Sequence, residues 1–398
     1  MFNHVPSYPG DPVLSLNQDF NADTRTPKVN LSIGMYFDES GRIPVLRSVG
    51  SAKNELRAGH GPHPYLPMAG LADYRTQVQQ IVFGLALADR LRDRIATIQT
   101  LGGSGALKVG ADFLKQYFPS SKIYMSDPTW DNHRVLFEGA GFEVNHYPYY
   151  DWTTGDLRFS DMCQTLSTIP EQSVVVLHAC CHNPTGVDLK DEDWTQLVSV
   201  LRKGNLIAFV DMAYQGFGDG LKEDAAGVRK LVEAHVPVLI ANSFSKNFSL
   251  YGERCGALSI ICDSSNEKDH VLGQLCAKIR ANYSNPPAFG ATIIARVLGD
   301  PALAQDWMKE LKEMRDRMHR MRSSLYSRLE GKISEEARAR YIRQRGMFSY
   351  TGMTKDQVVR LRNEFAIYLV ESGRLCVAGL NDGNVDYVAS SIASVVAG

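Results

Sequence analysis

No apolar run in this 398-residue chain approaches the ~20 residues that a membrane-crossing helix needs, so no membrane association is expected. The first residues, MFNHVPSYPGDPVL, carry no charged leader followed by an apolar stretch, and a secretory signal is not expected either. Excess charge of one sign is missing too. Forty-three Lys and Arg oppose 44 Asp and Glu for a net charge of −1, so no global field recruits nucleic acid or an anionic surface. Cysteine is sparse and unpatterned: seven residues (163, 180, 181, 255, 262, 276, 376), odd in number and without a CxxC pair. That favours a reducing compartment with the thiols buried as small hydrophobes, and the cytoplasm is the default. Neither GxGxxG nor GxxxxGK[ST] occurs, which argues against dinucleotide and P-loop nucleotide binding. No internal repeat or low-complexity segment is visible.

What is present reads as an ordinary globular chain, 44% hydrophobic and 22% charged, long enough for two domains or a large core with a smaller lobe. Helix-like stretches at Pro44 to Ala58 and Gly70 to Phe83 flank the turn-rich GHGPHPYLP. Seven short apolar runs follow: 94–100, 122–126, 143–147, 173–179, 206–211, 236–242 and 257–262. Most are separated by helical patterns of ten or more residues. This βαβ rhythm predicts an α/β fold with a mainly parallel seven-stranded sheet flanked by helices. The last two runs are joined by a loop too short for a crossover helix, so one of them is expected to run antiparallel. From Trp307 to Leu329, Leu311, Met314, Met318, Met321, Leu325 and Leu329 recur at three- and four-residue spacing. They predict a long helix with a buried stripe leading into a smaller C-terminal domain. The expected division is 1–43 as an N-terminal arm with part of the small domain, 44–308 as the large domain and 309–398 as the small one. Arg338, Arg340, Arg343 and Arg345 read as a solvated face.

In such sheets ligands bind beyond the carboxyl ends of the strands, so the residues there are the informative ones. After the first run comes LGGSG opening a helix, which is either a tight turn or an anion site on a helix N-terminus. The second run ends in Asp127-Pro128-Thr129-Trp130, where the indole is a ring face or simple packing. The fourth leads into Cys180-Cys181-His182-Asn183-Pro184-Thr185-Gly186. Its His and Cys residues, with His178, suggest zinc, but alternate strand residues face opposite ways and no second ligand pair exists, so no metal is expected. Asn183 suits a fixed hydrogen-bond donor. Asp211 closes the fifth run and requires a partner, because an unpaired buried carboxylate is costly; Tyr214 follows with a phenolic hydroxyl. Past the sixth run stands Lys246, either a surface charge or an amine for covalent and proton-transfer chemistry. One ligand asks for an anion site, a ring face, an amide donor, a carboxylate for a ring nitrogen and an amine together. That ligand is pyridoxal phosphate.

The motifs SFSKNFSLYGERCG, HNPTG, DMAYQGF, PTW, LGGSGALK, NYSNPP, GMFSYTG and SGRLCVAGLN occur in order along nearly the whole chain. Together they resemble the class I, fold-type I pyridoxal-phosphate aminotransferases of the aspartate/aromatic subgroup. VNLSIGMYF at 29–37 is more similar to the bacterial aromatic-amino-acid (tyrosine) enzymes, since the aspartate enzymes usually carry glycine where Ser32 stands.

The resemblance implies roles residue by residue. Lys246 would hold the cofactor covalently and, once displaced, carry the proton from the substrate's Cα. Asp211, supported by His133, would keep the pyridine nitrogen protonated, while Tyr214 and Asn183 would bond the phenolic oxygen and Trp130 would lie on the ring. Ser243, Ser245, Arg254, Gly103 and Ser104 would surround the phosphate. Arg374 would grip the substrate α-carboxylate, helped by the backbone of Gly34. Tyr65 would reach the phosphate, and Arg280 a distal carboxylate, from the other subunit of a homodimer with shared active sites. The N-terminal arm would lie on that subunit. The implied reaction moves the amino group of tyrosine, phenylalanine or aspartate to 2-oxoglutarate by a ping-pong course. Rival readings are an aspartate aminotransferase, another pyridoxal reaction such as β-elimination, and a Rossmann-type oxidoreductase sharing the βαβ rhythm.

Overall fold

All seven apolar runs form strands of one sheet: β1 (Ile95–Leu101), β2 (Ile123–Asp127), β3 (Val144–Pro148), β4 (Val174–His178), β5 (Ile207–Met212), β6 (Val238–Ser243) and β7 (Cys255–Ile261). The computed structural model describes residues 1–8, 10–58, 62 and 64–397; part of the turn-rich GHGPHPYLP stretch lies outside them. Strand order is β1-β7-β6-β5-β4-β2-β3. The segment from β6 to β7 contains only the short turn Tyr251–Glu253, so β7 folds back and runs antiparallel to both β6 and β1. The other pairings are parallel. Every residue of β5 and β6 is buried, as expected for strands covered on both faces, which read as continuous apolar runs. Side chains such as Phe209, Leu239 and Leu258 each contribute about 1.5–3 kcal/mol by leaving water.

The chain divides into two units. The larger comprises Pro44–Asp151 and Asp156–Asp316 and contains the sheet; the smaller comprises Met1–Ile43, Trp152–Gly155 and Arg317–Gly398. The helix Pro301–Arg328 carries the chain from one to the other. Its stripe of Leu311, Met314, Met318, Met321 and Leu325 is buried, with Leu329 just beyond. The methionines are core packing. In the smaller unit Val29–Asn30 pairs in parallel with Ile367–Tyr368, and Arg374–Cys376 runs antiparallel to Phe348–Tyr350.

The basic run departs from expectation. Arg340 is buried and donates to the carbonyls of Trp152 and Thr153, while Arg343 donates to Thr154 O at 3.1 Å. Arg338 pairs with Glu335 at 2.5 Å. The turn at Trp152–Gly155 presents backbone carbonyls that need donors, and guanidinium forks supply them. All seven cysteines are free thiols, six of them buried. Among the described residues no helix is long and apolar enough to cross a membrane.

Candidate active site

β1 passes directly into the helix Gly102–Tyr117, with no side chain capping its first turn and no acidic residue within it. The N–H groups at such an end point outward and carry the positive end of the helix dipole. Gly102 adopts φ +69°, donates its N–H to Arg254 O at 2.9 Å, and has no room for a Cβ, which would lie 2.7 Å from Arg254 Nη2. The loop after β6 brings two buried serines to the same place. Ser243 Oγ donates to Ser245 Oγ at 3.2 Å, and the Ser245 hydroxyl accepts from Arg254 Nη1 at 3.4 Å. A Cβ on Gly103 would stand 3.2 Å from Ser243 Cβ. Among the described residues no carboxylate pairs with Arg254. An uncapped helix end, two hydroxyls and an uncompensated guanidinium make a cradle for a dianion.

At the end of β5, Asp211 is buried, with Oδ2 3.0 Å from His133 Nε2. Burial alone would raise this carboxyl's pKa. The His133 hydrogen bond, together with the fields of His133, His178 and Lys246, outweighs burial and holds it below its ordinary value. Asp211 is therefore an anion. His133 Nδ1 lies 2.8 Å from Thr129 Oγ1, so both ring nitrogens are engaged. His178 stands beside it, ring centroids 5.1 Å apart. Burial and the neighbouring His133 push the His178 pKa down to about 3 despite the opposing pull of Asp211. His182 continues the column. It stacks on Tyr149 at 4.0 Å and places its nitrogens near Ser126 and Thr185, with burial and the other histidines keeping it neutral.

Lys246 is half-buried just beyond β6, its Nζ 5.4 Å from the Tyr214 ring centroid. Its charge is one of those lowering the Asp211 pKa, so the amine and the carboxylate act on one another. Tyr214 and Asn183 are buried. Trp130 opens the helix Asp131–Glu138 and meets the His133 ring edge-on at 5.3 Å. The His178/Cys180/Cys181/His182 run does not form one group. The two thiols sit instead with Asp224, whose oxygens accept N–H groups from Gly216, Gly218, Asp219 and Gly220. His133, His178 and Asp211 lie within ligand distance of one another, but His133 has no nitrogen left for a metal.

Tyr65 is 92% exposed, and Arg280, exposed near the end of the helix Ser265–Asn282, donates to Ser284 Oγ. Gly34 and Arg374 belong to the smaller unit. There Arg374 is buried, donates Nη2 to Ser32 O at 2.8 Å and lies 4.3 Å over the Phe348 ring.

Residues 26–392 match the family described as aminotransferase class I and II. The chain belongs to that family. It is similar to the aromatic-amino-acid aminotransferase of Escherichia coli (strain K12), 52% identical over 397 residues with each chain covered in full. It is similar as well to an aspartate aminotransferase of Pseudomonas aeruginosa, 48% identical over 396 residues, again with full coverage of both. A crystal structure of the aromatic-amino-acid aminotransferase from Burkholderia pseudomallei, covalently bound to pyridoxal phosphate, superposes with a TM-score of 0.96 at 51% identity, covering 99% of each chain.

The aminotransferase is thus a pyridoxal-phosphate transaminase of fold-type I in the aspartate/aromatic subgroup, which sets aside the nicotinamide oxidoreductase. Its residues fit the cofactor chemically: a dianion cradle, an anionic carboxylate for a cationic ring nitrogen, and an amine coupled to that carboxylate. Two participants escaped the sequence reading. Thr129 completes the hydrogen bonding of His133, and its four-residue spacing from His133 across a helix start was the available signal. His178 was read only as a metal candidate. Its register opposite Asp211 in the β4–β5 pairing marks it as a neighbour of the carboxylate.

Proposed function

We propose that this aminotransferase moves the amino group of tyrosine and phenylalanine, and of aspartate, to 2-oxoglutarate in two half-reactions. In the first an amino acid leaves as its 2-oxo acid, and in the second an oxo acid receives the amino group. Bound pyridoxal phosphate supplies an electrophilic aldehyde and a ring that stabilises negative charge at the substrate Cα. Lys246 holds the cofactor and moves the Cα proton. Asp211, fixed by His133, keeps the ring nitrogen protonated; Tyr214 and Asn183 bond the phenolic oxygen and Trp130 covers the ring. Gly103, Ser104, Ser243, Ser245 and Arg254 hold the phosphate, and Arg374 with the Gly34 backbone holds the α-carboxylate.

The observation carrying the chemistry is a buried Asp211, 3.0 Å from His133 Nε2 at the end of β5, with Lys246 just past the end of the adjacent β6 and its Nζ 5.4 Å from the Tyr214 ring. The substrate class rests on relatives near 50% identity named for aromatic amino acids and for tyrosine. The deciding experiment is the absorbance of purified protein as tyrosine, phenylalanine and aspartate are added in turn, followed by kcat/KM with 2-oxoglutarate. Preference for aspartate over both aromatic donors by tenfold or more would assign the enzyme to the aspartate class.

The proposed enzyme is a cytoplasmic homodimer in which Tyr65 and Arg280 of one subunit serve the other's site. The exposure of both side chains supports it. Mixing Lys246→Ala and Arg280→Ala homodimers tests this sharing. Subunit exchange regenerates one intact site per hybrid and restores aspartate turnover, whereas unshared sites stay defective in every mixture.

A further inference from the structure

The segment entering Gly34 is built around one side chain. Ser32 is fully buried; its hydroxyl donates to Asn30 Oδ1 at 2.7 Å, and its backbone N–H donates to the same oxygen at 3.1 Å. Asn30 is held in turn, its Nδ2 donating to Asn17 Oδ1 at 2.9 Å on the helix Pro12–Ala22. The neighbouring peptide is stitched as well, since Leu31 N donates to Tyr368 O and Leu31 O accepts from Cys376 N, both at 2.8 Å. With its N–H, its hydroxyl and the preceding peptide all fixed, Ser32 aims its carbonyl at Arg374 Nη2, 2.8 Å away. The other side of the guanidinium rests on Phe348. That ring leaves no space for a side chain at Gly34, where a Cβ would come within 2.9 Å of it, and its backbone carbonyl accepts from Arg322 at 2.5 Å.

An arginine grips a carboxylate with two parallel N–H groups only when its plane is held, because the flexible stem otherwise samples many rotamers. We infer that Ser32 and Asn30 are positioning residues for Arg374: their shared hydrogen bonds fix the carbonyl that orients its guanidinium, and thereby set affinity for any ligand bearing an α-carboxylate. The inference rests on the reading that Arg374 binds that carboxylate. Neither side chain touches the reacting atoms. Their loss is felt in binding, not in the chemical step.

The test compares holoenzyme variants Ser32→Ala, Asn30→Ala, the double variant and Arg374→Lys. Readouts are calorimetric Kd for 3-phenylpropionate, KM and kcat for tyrosine, and the slow reaction with 2-phenylethylamine, which has no carboxylate. Ser32→Ala raises Kd and KM together by roughly fivefold to tenfold, the loss expected for one hydrogen bond, while kcat falls less than twofold and the amine reaction is unchanged. Asn30→Ala does the same, and the double variant is no worse than the weaker-binding single, because both remove one device. Asn30 is only partly buried, so its variant carries the test should Ser32→Ala fail to fold. Unchanged Kd in the Ser32 and Asn30 variants, or a matching loss with 2-phenylethylamine, overturns the positioning role. Unchanged Kd in Arg374→Lys as well overturns instead the assignment of Arg374 to the carboxylate.

Discussion

His133 Nε2 lies 3.0 Å from Asp211 Oδ2, and neither side chain reaches solvent appreciably. A buried carboxylate is ordinarily protonated. Here a histidine with both nitrogens engaged, and a lysine amine acting from beyond the next strand, make the anion the favoured form. An acid kept charged away from water is suited to holding a heteroaromatic nitrogen in its cationic state.

Replacing Asp211 with Asn keeps its shape and removes its charge. Turnover with tyrosine is expected to fall by a factor on the order of 10² to 10³, as for loss of a preorganised electrostatic partner, while Lys246 still binds the cofactor. Single-turnover kinetics beside an absorbance spectrum checks both halves. A variant within tenfold of the parent would leave the carboxylate without its proposed role.

Lys246→Ala removes the only proposed covalent attachment and the proton carrier together. The variant is expected to release its cofactor on gel filtration and to lose nearly all transamination. Transamination at a tenth or more of the parent rate would take the lysine out of the mechanism.

The histidine column makes stability depend on pH. His178 has an unfolded value of 6.5 and a folded value of about 3, and the folded value of His182 is also depressed. Between those limits the unfolded chain binds the extra proton, so this stability is fully present above pH 6.5 and drains away as pH falls. His178 alone accounts for about 1.4 kcal/mol per pH unit within that window. Urea midpoints taken from pH 7.5 to 5 should therefore fall more steeply for the parent than for His178→Gln. Equal slopes would mean the ring is not kept neutral.

Gly102→Ala places a methyl group where Arg254 lies and puts a side chain at φ +69°, a conformation costing roughly 1 kcal/mol or more for alanine. Arg254 must move, and the cradle with it. Cofactor Kd, titrated by fluorescence into apoprotein, is expected to rise at least tenfold, with a modest drop in melting temperature. Unaltered affinity would place the phosphate elsewhere.

The sheet was legible because parallel strands are apolar on both faces and their punctuation is sharp. Even an antiparallel member among the last two strands followed from the short Phe244 to Arg254 connection, though only the pairing identifies it as β7. The candidate site was legible for a related reason, since strand ends are fixed points and Asp211 and Lys246 stand at two of them. What escaped depended on contacts distant in sequence. Arg340 reads as one more surface charge until the carbonyls of Trp152 and Thr153, nearly two hundred residues earlier, are brought to it. The pairing of Ser32 with Arg374 is likewise invisible in the order of residues.

In the proposed function Arg280 is the residue that decides between substrates. It is exposed and donates Nη1 to Ser284 Oγ, so it can face a distal carboxylate or remain hydrated beside an uncharged ring. Arg280→Ala should raise KM for aspartate and for 2-oxoglutarate by tenfold or more, the loss of a charge-assisted pair, while KM for tyrosine with a monocarboxylic oxo acid changes less than threefold. The mobility this implies is open to crystallography. In a complex with an aromatic carboxylate the guanidinium should point to solvent, and with a dicarboxylate it should turn to the distal group. An aromatic complex with Arg280 unmoved, dry and unpaired would contradict this account, because a buried unpaired charge costs far more than the ring's packing could return.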